Sequence, residues 1–296
     1  MMGDAEGSNR TVALATVTSA GFLPGTFVML DSFLRHNPWF DGDLIVIHRD
    51  LNGSQQARLT NAFPRLRCIA PRAALRKKID FLAKAVPDLS RQAAQFLSIE
   101  AVGLSEYDRV LFCDSDLLFR DTLQNLFALP HALVCCGDGS FYRGNARDPD
   151  SFAEITEANP PAKVLRKAFN AGLLLMDRTI CTAHHLDRLI AGIDPDLWGD
   201  IATGHTDQRL FNVVFAGQQT LVGPEYNYVL RHHRQLESIC GVTLEQAKVI
   251  HFNGSAKPWN PAALRQLARP DPVILDAQAL WREAYRSYLA RQATQS

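Results

Sequence analysis

Val110-Leu111-Phe112-Cys113 runs directly into Asp114-Ser115-Asp116 and on into Leu117-Leu118-Phe119. A short apolar run bounded by polar residues reads as a buried strand. Working outward, Thr11–Val17, Asp43–His48, Arg67–Ala70, Ala132–Cys136, Gly172–Asp177 and Lys248–His251 read the same way. Between them, the segments after Pro24 to about Arg35, Ser54–Phe63, Leu89–Leu104, Thr179–Ile190 and Asp207–Phe215 read as helices. His36-Asn37-Pro38 ends the first helix, because proline disfavours helix at the residue before it. Alternating strands and helices predict an α/β fold with a mixed, mostly parallel central sheet.

In open α/β sheets, ligands bind beyond the carboxyl ends of the strands. Two carboxylates at such a place are costly to desolvate unless they are paired or hold a cation. The spacing of Asp114 and Asp116 lets both reach one hard divalent ion and leaves its other positions open. Alone, Asp-x-Asp also reads as a capped turn.

A second cluster follows the last strand: His251-Phe252-Asn253-Gly254-Ser255-Ala256-Lys257-Pro258-Trp259. A histidine at a strand end offers imidazole to a metal, although a lone histidine equally reads as a satisfied structural residue. Gly254 permits close backbone approach to an anion, and Lys257 supplies a point charge for phosphate. Together these residues form a metal and diphosphate clamp that complements the aspartate pair.

Composition narrows the field. The chain has 296 residues, with 31 Lys+Arg against 31 Asp+Glu. That balance argues against a nucleic-acid partner, which calls for a basic excess or stripe. No apolar run approaches the ~18 residues of a membrane span. Met1 to Arg10 is polar and lacks the layout of a secretory signal, so the expected location is cytoplasmic. Cys68, Cys113, Cys135, Cys136, Cys181 and Cys240 form no C-x-x-C pair and read as buried free thiols.

The ordered motifs, spread from about Val12 to Trp259, resemble glycosyltransferase family 8, which includes glycogenin and bacterial lipopolysaccharide galactosyl- and glucosyltransferases. The segment Val110 to Phe119 resembles the family's metal motif. Phe169-Asn170-Ala171-Gly172 with Leu173 to Met176 resembles its F-N-[AS]-G strand, and Thr206-Asp207-Gln208 its D-Q motif. Pro224 with Tyr226-Asn227 resembles its Y-N segment. The most specific match is His251 to Trp259, similar to its H-[FY]-x-G-x-x-K-P-W signature.

The resemblance implies a Rossmann-like GT-A fold, Mn²⁺ (or Mg²⁺) and a UDP-sugar donor. It implies that Asp114, Asp116 and His251 ligate the metal, with Ser115 between them in the motif, and that Gly254 and Lys257 hold the diphosphate. Asn170, Ala171, Gly172, Asp207 and Gln208 would line the sugar pocket. Asp207, Gln208 and Asn170 are the candidates for catalysis. Thr16, Thr18, Ser19 and Phe22 sit where the first strand's loop meets the uridine. The implied activity is transfer of a hexose, with retention, to a glycan or lipid-linked saccharide. Gln208 is a poor nucleophile, so a front-face route with Asp207 as orienting group is favoured over double displacement. Asp207 also reads as the N-cap of its helix.

The sequence departs from the pattern in three places. Phe22 stands where the family often has Tyr, and Ala20 where it often has Asp or Asn. Ser98 stands where it often has Lys or Arg, so a basic group is missing or comes from Arg91, Lys84 or Arg143. A non-catalytic nucleotide- or glycan-binding member is one alternative. A sugar-nucleotide nucleotidyltransferase is another, disfavoured because Ala15 to Gly25 has no basic residue.

The expected organisation is a disordered tail at 1–10, a glycosyltransferase domain at 11–265 and a helical tail at 266–296. The polar stretch Gly137–Lys167 reads as a lid or acceptor-binding insert. In the tail, Trp281, Tyr285, Tyr288 and Leu289 with Arg282, Arg286 and Arg291 suggest an amphipathic helix. Such a helix docks on the core, packs in a homodimer or touches a membrane surface carrying the acceptor.

Overall fold

The computed structural model describes residues 11–90, 92–139, 168–198, 206–260 and 271–295. The expectations for the 1–10 tail, for Arg91 and Arg143, and for most of the 137–167 insert lie outside these residues.

Ten strands are described: β1 (Val12–Val17), β2 (Asp43–Ile47), β3 (Leu66–Ile69), β4 (Arg109–Asp114), β5 (Leu117–Phe119), β6 (Leu133–Gly137), β7 (Phe169–Asp177), β8 (Gln219–Val222), β9 (Tyr228–Val229) and β10 (Val249–His251). They form a seven-stranded sheet, in the order β3-β2-β1-β4-β7-β6-β8, and a three-stranded sheet, in the order β5-β10-β9. In the large sheet β1 pairs in parallel with β2 and β4, as do β2 with β3 and β6 with β8. β7 runs antiparallel to both β4 and β6.

The large sheet is buried on both faces, which explains its near-continuous apolar strands. Ala13, Ala15, Val110, Phe112, Leu174 and Met176 face one core. Leu14, Leu111, Cys113, Leu173 and Leu175 alternate with them into the other. Each large side chain so buried contributes about 1.5–3 kcal/mol of transfer free energy.

Three registers bring distant segments to one place. Val17 lies opposite Asp114, so the end of β1 flanks the aspartate motif. Because β7 is reversed, its first residues reach the carboxyl end of β4, with Leu173 opposite Cys113. In the small sheet His251 lies opposite Leu117, the residue after Asp116.

The helix Leu23–His36 ends as expected: Asn37 donates from both its backbone and its side-chain nitrogen to the Phe33 carbonyl, and Pro38 follows. Three readings need correction. The helix expected over Leu89–Leu104 is a 3₁₀ segment, Ala93–Gly103, preceded by a 3₁₀ turn at Pro87–Leu89. Phe96 to Val102 are all buried, so packing on several sides overrides the helical stripe. The helix expected from Thr179 begins at Ala183, because Asp177 holds Thr179 and Ile180 in a turn and Thr182 caps the helix. Of the six cysteines, Cys68 is half-buried and Cys240, at the end of the helix His233–Cys240, is exposed. The helix Ala73–Ala85, with Leu75, Ile79 and Leu82 on its buried stripe, and the strands β5, β8 and β9 are additions to the sequence reading.

The C-terminal helix Pro272–Gln295 docks on the core. Ala277, Trp281 and Tyr288 are buried. Tyr288 stacks on Phe27 with ring centroids 5.4 Å apart, and Arg291 pairs with Asp31 at 2.6 Å. The exposed side carries Arg282, Arg286 and Leu289. No helix among the described residues is long and apolar enough to cross a membrane.

Candidate functional site

Asp114 is the last residue of β4, and Asp116 follows one turn residue later. His251 ends β10. The cross-sheet register brings His251 Nε2 to 3.5 Å from Asp114 Oδ2 and 3.4 Å from Asp116 Oδ1. One ligand atom from each of the three residues lies within 4.8 Å of the others. The Asp116 and His251 side chains are 7% and 4% exposed, whereas that of Asp114 is 42% exposed. Two carboxylates and an imidazole converging at a strand end make a candidate oxygen and nitrogen donor set for a divalent cation.

The electrostatics record the strain of keeping this set together. Desolvation and then the charge of Asp116 push the Asp114 carboxyl up to about 7. Asp207 pushes in the same direction, which places it within electrostatic reach of the pair. Burial also works against ionised Asp116, but Lys257 and His251 outweigh it and hold its carboxyl well below the usual range.

Lys257 completes this picture. Its Nζ bonds Asp116 Oδ2, donates to the Phe252 carbonyl at 2.8 Å and lies 5.6 Å from the centre of the Phe22 ring. The loop that carries it turns at Gly254, whose φ of +93° is left-handed backbone that favours glycine. A Cβ there would also come within 2.7 Å of Arg231 Cδ.

Two more glycines are demanded by close approach. A Cβ on Gly172 would lie 2.4 Å from His251 Cε1 and 2.8 Å from Asp114 Oδ2. On Gly25 it would meet the Trp259 ring at 2.5 Å and the Ser115 carbonyl at 2.6 Å. Ser115 itself is buried, so the aspartate turn is packed onto the first helix from behind.

The sugar-pocket candidates sit together at the start of β7. Asn170 Nδ2 donates to Gln208 Oε1 at 3.0 Å, and the Ala171 amide donates to the same oxygen at 3.3 Å. Gln208 Nε2 in turn donates to Asp138 Oδ2 at 3.1 Å. Asn212, one turn along the helix Thr206–Val214, bonds both the amide and the carbonyl of Phe169 at 2.9 Å and so clamps β7 to this helix. Asp207 accepts a hydrogen bond from Ser98 Oγ at 2.7 Å.

The nucleoside candidates divide. Phe22 is 37% exposed and meets Trp259 edge-on at 5.4 Å, while Ser19 is half-buried. Thr18 is buried and its hydroxyl shares a 2.6 Å bond with Thr26. Thr16 is fully buried with its hydroxyl unpaired in the structure. Trp259 donates to the Gly21 carbonyl at 3.0 Å and leans on Trp281, 5.7 Å away. The C-terminal helix therefore supports the loop that lines the site. Lys84 is exposed on its helix.

Sequence reasoning passed over Gly25, Asp138, Asn212 and the role of Asn227. Asn227 carried a signal as half of the Y-N pair. The others carried none, because a close approach or a bond across 43 or 70 residues leaves no local pattern.

A model of glycosyl transferase family 8 matches residues 13–263. The chain is 27% identical over 180 residues to galactinol synthase 2 of Arabidopsis thaliana, a match covering 52% of this chain and 47% of that protein. It is 23% identical over 160 residues to lipopolysaccharide 1,3-galactosyltransferase of Salmonella typhimurium, covering 52% of this chain and 44% of that one. These matches thus span about half the length of each relative. Among solved structures, the galactosyltransferase LgtC, crystallised with donor and acceptor sugar analogs, superposes with a TM-score of 0.67. That superposition covers 93% of this chain and 95% of LgtC at 16% identity, a likeness of fold. The architecture is the mixed, mostly parallel GT-A sheet. With the family match running from β1 past the last residue of the candidate metal-ligand set, the chain belongs to glycosyl transferase family 8.

Proposed function

We propose that this chain is a retaining, Mn²⁺-dependent glycosyltransferase that moves a hexose from a UDP-sugar to a glycan or lipid-linked saccharide. The observation that carries this reading is the convergence of Asp114, Asp116 and His251 within 4.8 Å at the carboxyl end of β4. The donor set fits a divalent ion in its chemistry and in its unrelieved charge: two carboxylates lie close together and one is forced toward protonation. Such an ion supplies Lewis-acid stabilisation of the departing diphosphate.

The residues of the chain then have distinct tasks. Lys257, which bonds Asp116, would hold the diphosphate with its ammonium. The Gly254 amide, in a left-handed turn of the same loop, would add a donor to that group. Phe22 offers its exposed ring to the base, with the half-buried Ser19 in the same loop. Asn170, Gln208 and Asp207 orient the sugar. Gln208 has both its carbonyl and its amide nitrogen engaged within the protein, which supports an orienting task over a nucleophilic one. The exposed side of the C-terminal helix, with Arg282, Arg286 and Leu289, is the surface offered to a membrane that holds a lipid-linked acceptor.

A panel of UDP-Glc, UDP-Gal, UDP-GlcNAc and UDP-GalNAc with Mn²⁺, read by hydrolysis and by thermal shift, tests the reading. At least one donor is turned over in a metal-dependent way, and the same donor stabilises the protein. Silence across the panel in both readouts overturns it. A non-catalytic binder, the reading that Ser98 in place of a basic residue favours, gives the thermal shift without hydrolysis.

A further inference from the structure

Five side chains connect the sugar pocket to the metal-ligand set: Asp138, Gln208, Asn170, Asn227 and His251. The amides in this chain have only one consistent orientation, and two backbone N–H groups set it. A backbone N–H can only donate. The Gly172 N–H meets Asn170 at 2.9 Å, so the Asn170 atom facing it is the carbonyl oxygen. The Ala171 N–H meets Gln208 at 3.3 Å, so that atom is also an oxygen. Asn170 Nδ2 then donates to Gln208 Oε1 at 3.0 Å, and Gln208 Nε2 donates to the Asp138 carboxylate at 3.1 Å.

On the other side, Asn170 Oδ1 also meets Asn227 at 2.8 Å. The Asn227 atom there must be the NH₂ group. That leaves Asn227 Oδ1 facing His251 Nδ1 at 3.0 Å, and an oxygen acceptor requires a proton on Nδ1. Neutral His251 is thereby restricted to the Nδ1–H tautomer. Its bare Nε2 points to the space between Asp114 Oδ2 and Asp116 Oδ1. Asn227 and His251 are 0% and 3% exposed, so water does not substitute for the missing partner.

We propose that Asn227 is a positioning residue that locks the tautomer of His251, so that Nε2 is presented as a ready ligand to a divalent cation. The lock is oriented by the Ala171 and Gly172 amides and reaches Asp138 through Gln208. Its consequence for metal binding rests on the metal reading above, whereas the tautomer itself does not. The arrangement ties the sugar pocket to the metal set, because Asn170 and Gln208 of the pocket are bonded through Asn227 to His251. Outer hydrogen bonds of this kind orient a ligating imidazole and raise its basicity, and their loss typically costs ~10–100-fold in metal affinity.

The test is ¹⁵N NMR of the metal-free, full-length chain at a pH where imidazole is neutral, with His251 assigned by its absence in His251→Gln. Mn²⁺ affinity is measured alongside by calorimetry. We expect the proton on Nδ1 in the wild type, mixed tautomers in Asn227→Ala, and ~10–100-fold weaker Mn²⁺ binding by that variant. A wild-type proton on Nε2 overturns the proposal, and this holds even if Asn227→Ala does not fold. So does an Asn227→Ala protein that keeps both the Nδ1 proton and the wild-type affinity. A wild type with the proton on Nδ1 but no Mn²⁺ binding upholds the lock and sinks the metal reading instead.

Discussion

Ser98 Oγ donates a 2.7 Å hydrogen bond to Asp207 Oδ2. Ser98 is 1% exposed and sits in a buried 3₁₀ segment, so its hydroxyl is aimed by the fold. Related sequences often place a cation at this position. Here a neutral hydroxyl bonds the carboxylate, and the charge of Asp207 raises the Asp114 carboxyl.

The first prediction follows from that bond. Ser98→Ala removes one buried hydrogen-bond donor from Asp207. A hydrogen bond to a charged group is worth about 1.5–3 kcal/mol. Turnover should fall roughly 10-fold or more while KM for the donor changes little. Steady-state kinetics over a range of donor concentrations check the split, and an unchanged kcat removes Ser98 from the positioning of Asp207.

The second concerns Gly172. An alanine Cβ would fall 2.4 Å from His251 Cε1 and 2.8 Å from Asp114 Oδ2. The ligand set must open to admit it. Gly172→Ala should fold, since the clash is with side chains at the sheet's end, yet its Mn²⁺-induced thermal stabilisation should largely vanish. Wild-type stabilisation by Mn²⁺ in this variant would refute the geometry.

The third uses Asp114 and the sign of its shift. A carboxyl whose folded pKa is raised is protonated more readily in the folded state than in the unfolded state. The metal-free protein therefore loses stability as pH rises from the ordinary carboxylate range to about 7. Asp116, held low, acts in the opposite sense, and its contribution is lost as pH falls below the ordinary range. Asp114→Asn should raise the melting temperature of the metal-free protein at pH 8, by roughly 2–4 °C for each ~1 kcal/mol relieved. It should also abolish the response to Mn²⁺. Differential scanning calorimetry with and without the ion reads both effects.

The fourth follows from the same carboxyl. A cation requires Asp114 ionised and competes with its proton. Apparent Mn²⁺ affinity should climb about 10-fold per pH unit below about 7 and level off above it. A flat profile between pH 5.5 and 8 would show that Asp114 is not a ligand.

The fifth addresses the C-terminal helix. Trp281 is 2% exposed, stacks on Tyr285 at 5.1 Å and backs Trp259. Trp281→Ala should cost about 3–5 kcal/mol in stability. Below its lowered melting temperature it should also raise KM for the donor, because Trp259 lines the loop that carries Lys257. Urea unfolding and donor kinetics measure the two effects separately.

Several of these features are legible in the amino-acid sequence by itself. The apolar run Val110–Cys113 sets the strand, and the polar Asp114-Ser115-Asp116 after it sets the strand's end, because burial and periodicity are properties of neighbouring residues. The order of the Phe169–Gly172, Asp207–Gln208 and His251–Trp259 motifs carries the family and the candidate ligands. Tertiary structure alone decides which of these side chains meet. His251 reaches Asp114 and Asp116 only through the β5–β10 register, and Gly172 reaches them only because β7 is reversed against β4. The same holds for the Ser98–Asp207 bond across 109 residues and for the Asn227 bond that sets the His251 tautomer. The physical reason is one of range. Hydrophobic pattern acts along the chain and is written in it, whereas a hydrogen bond depends on a few tenths of an ångström between residues that only packing brings together.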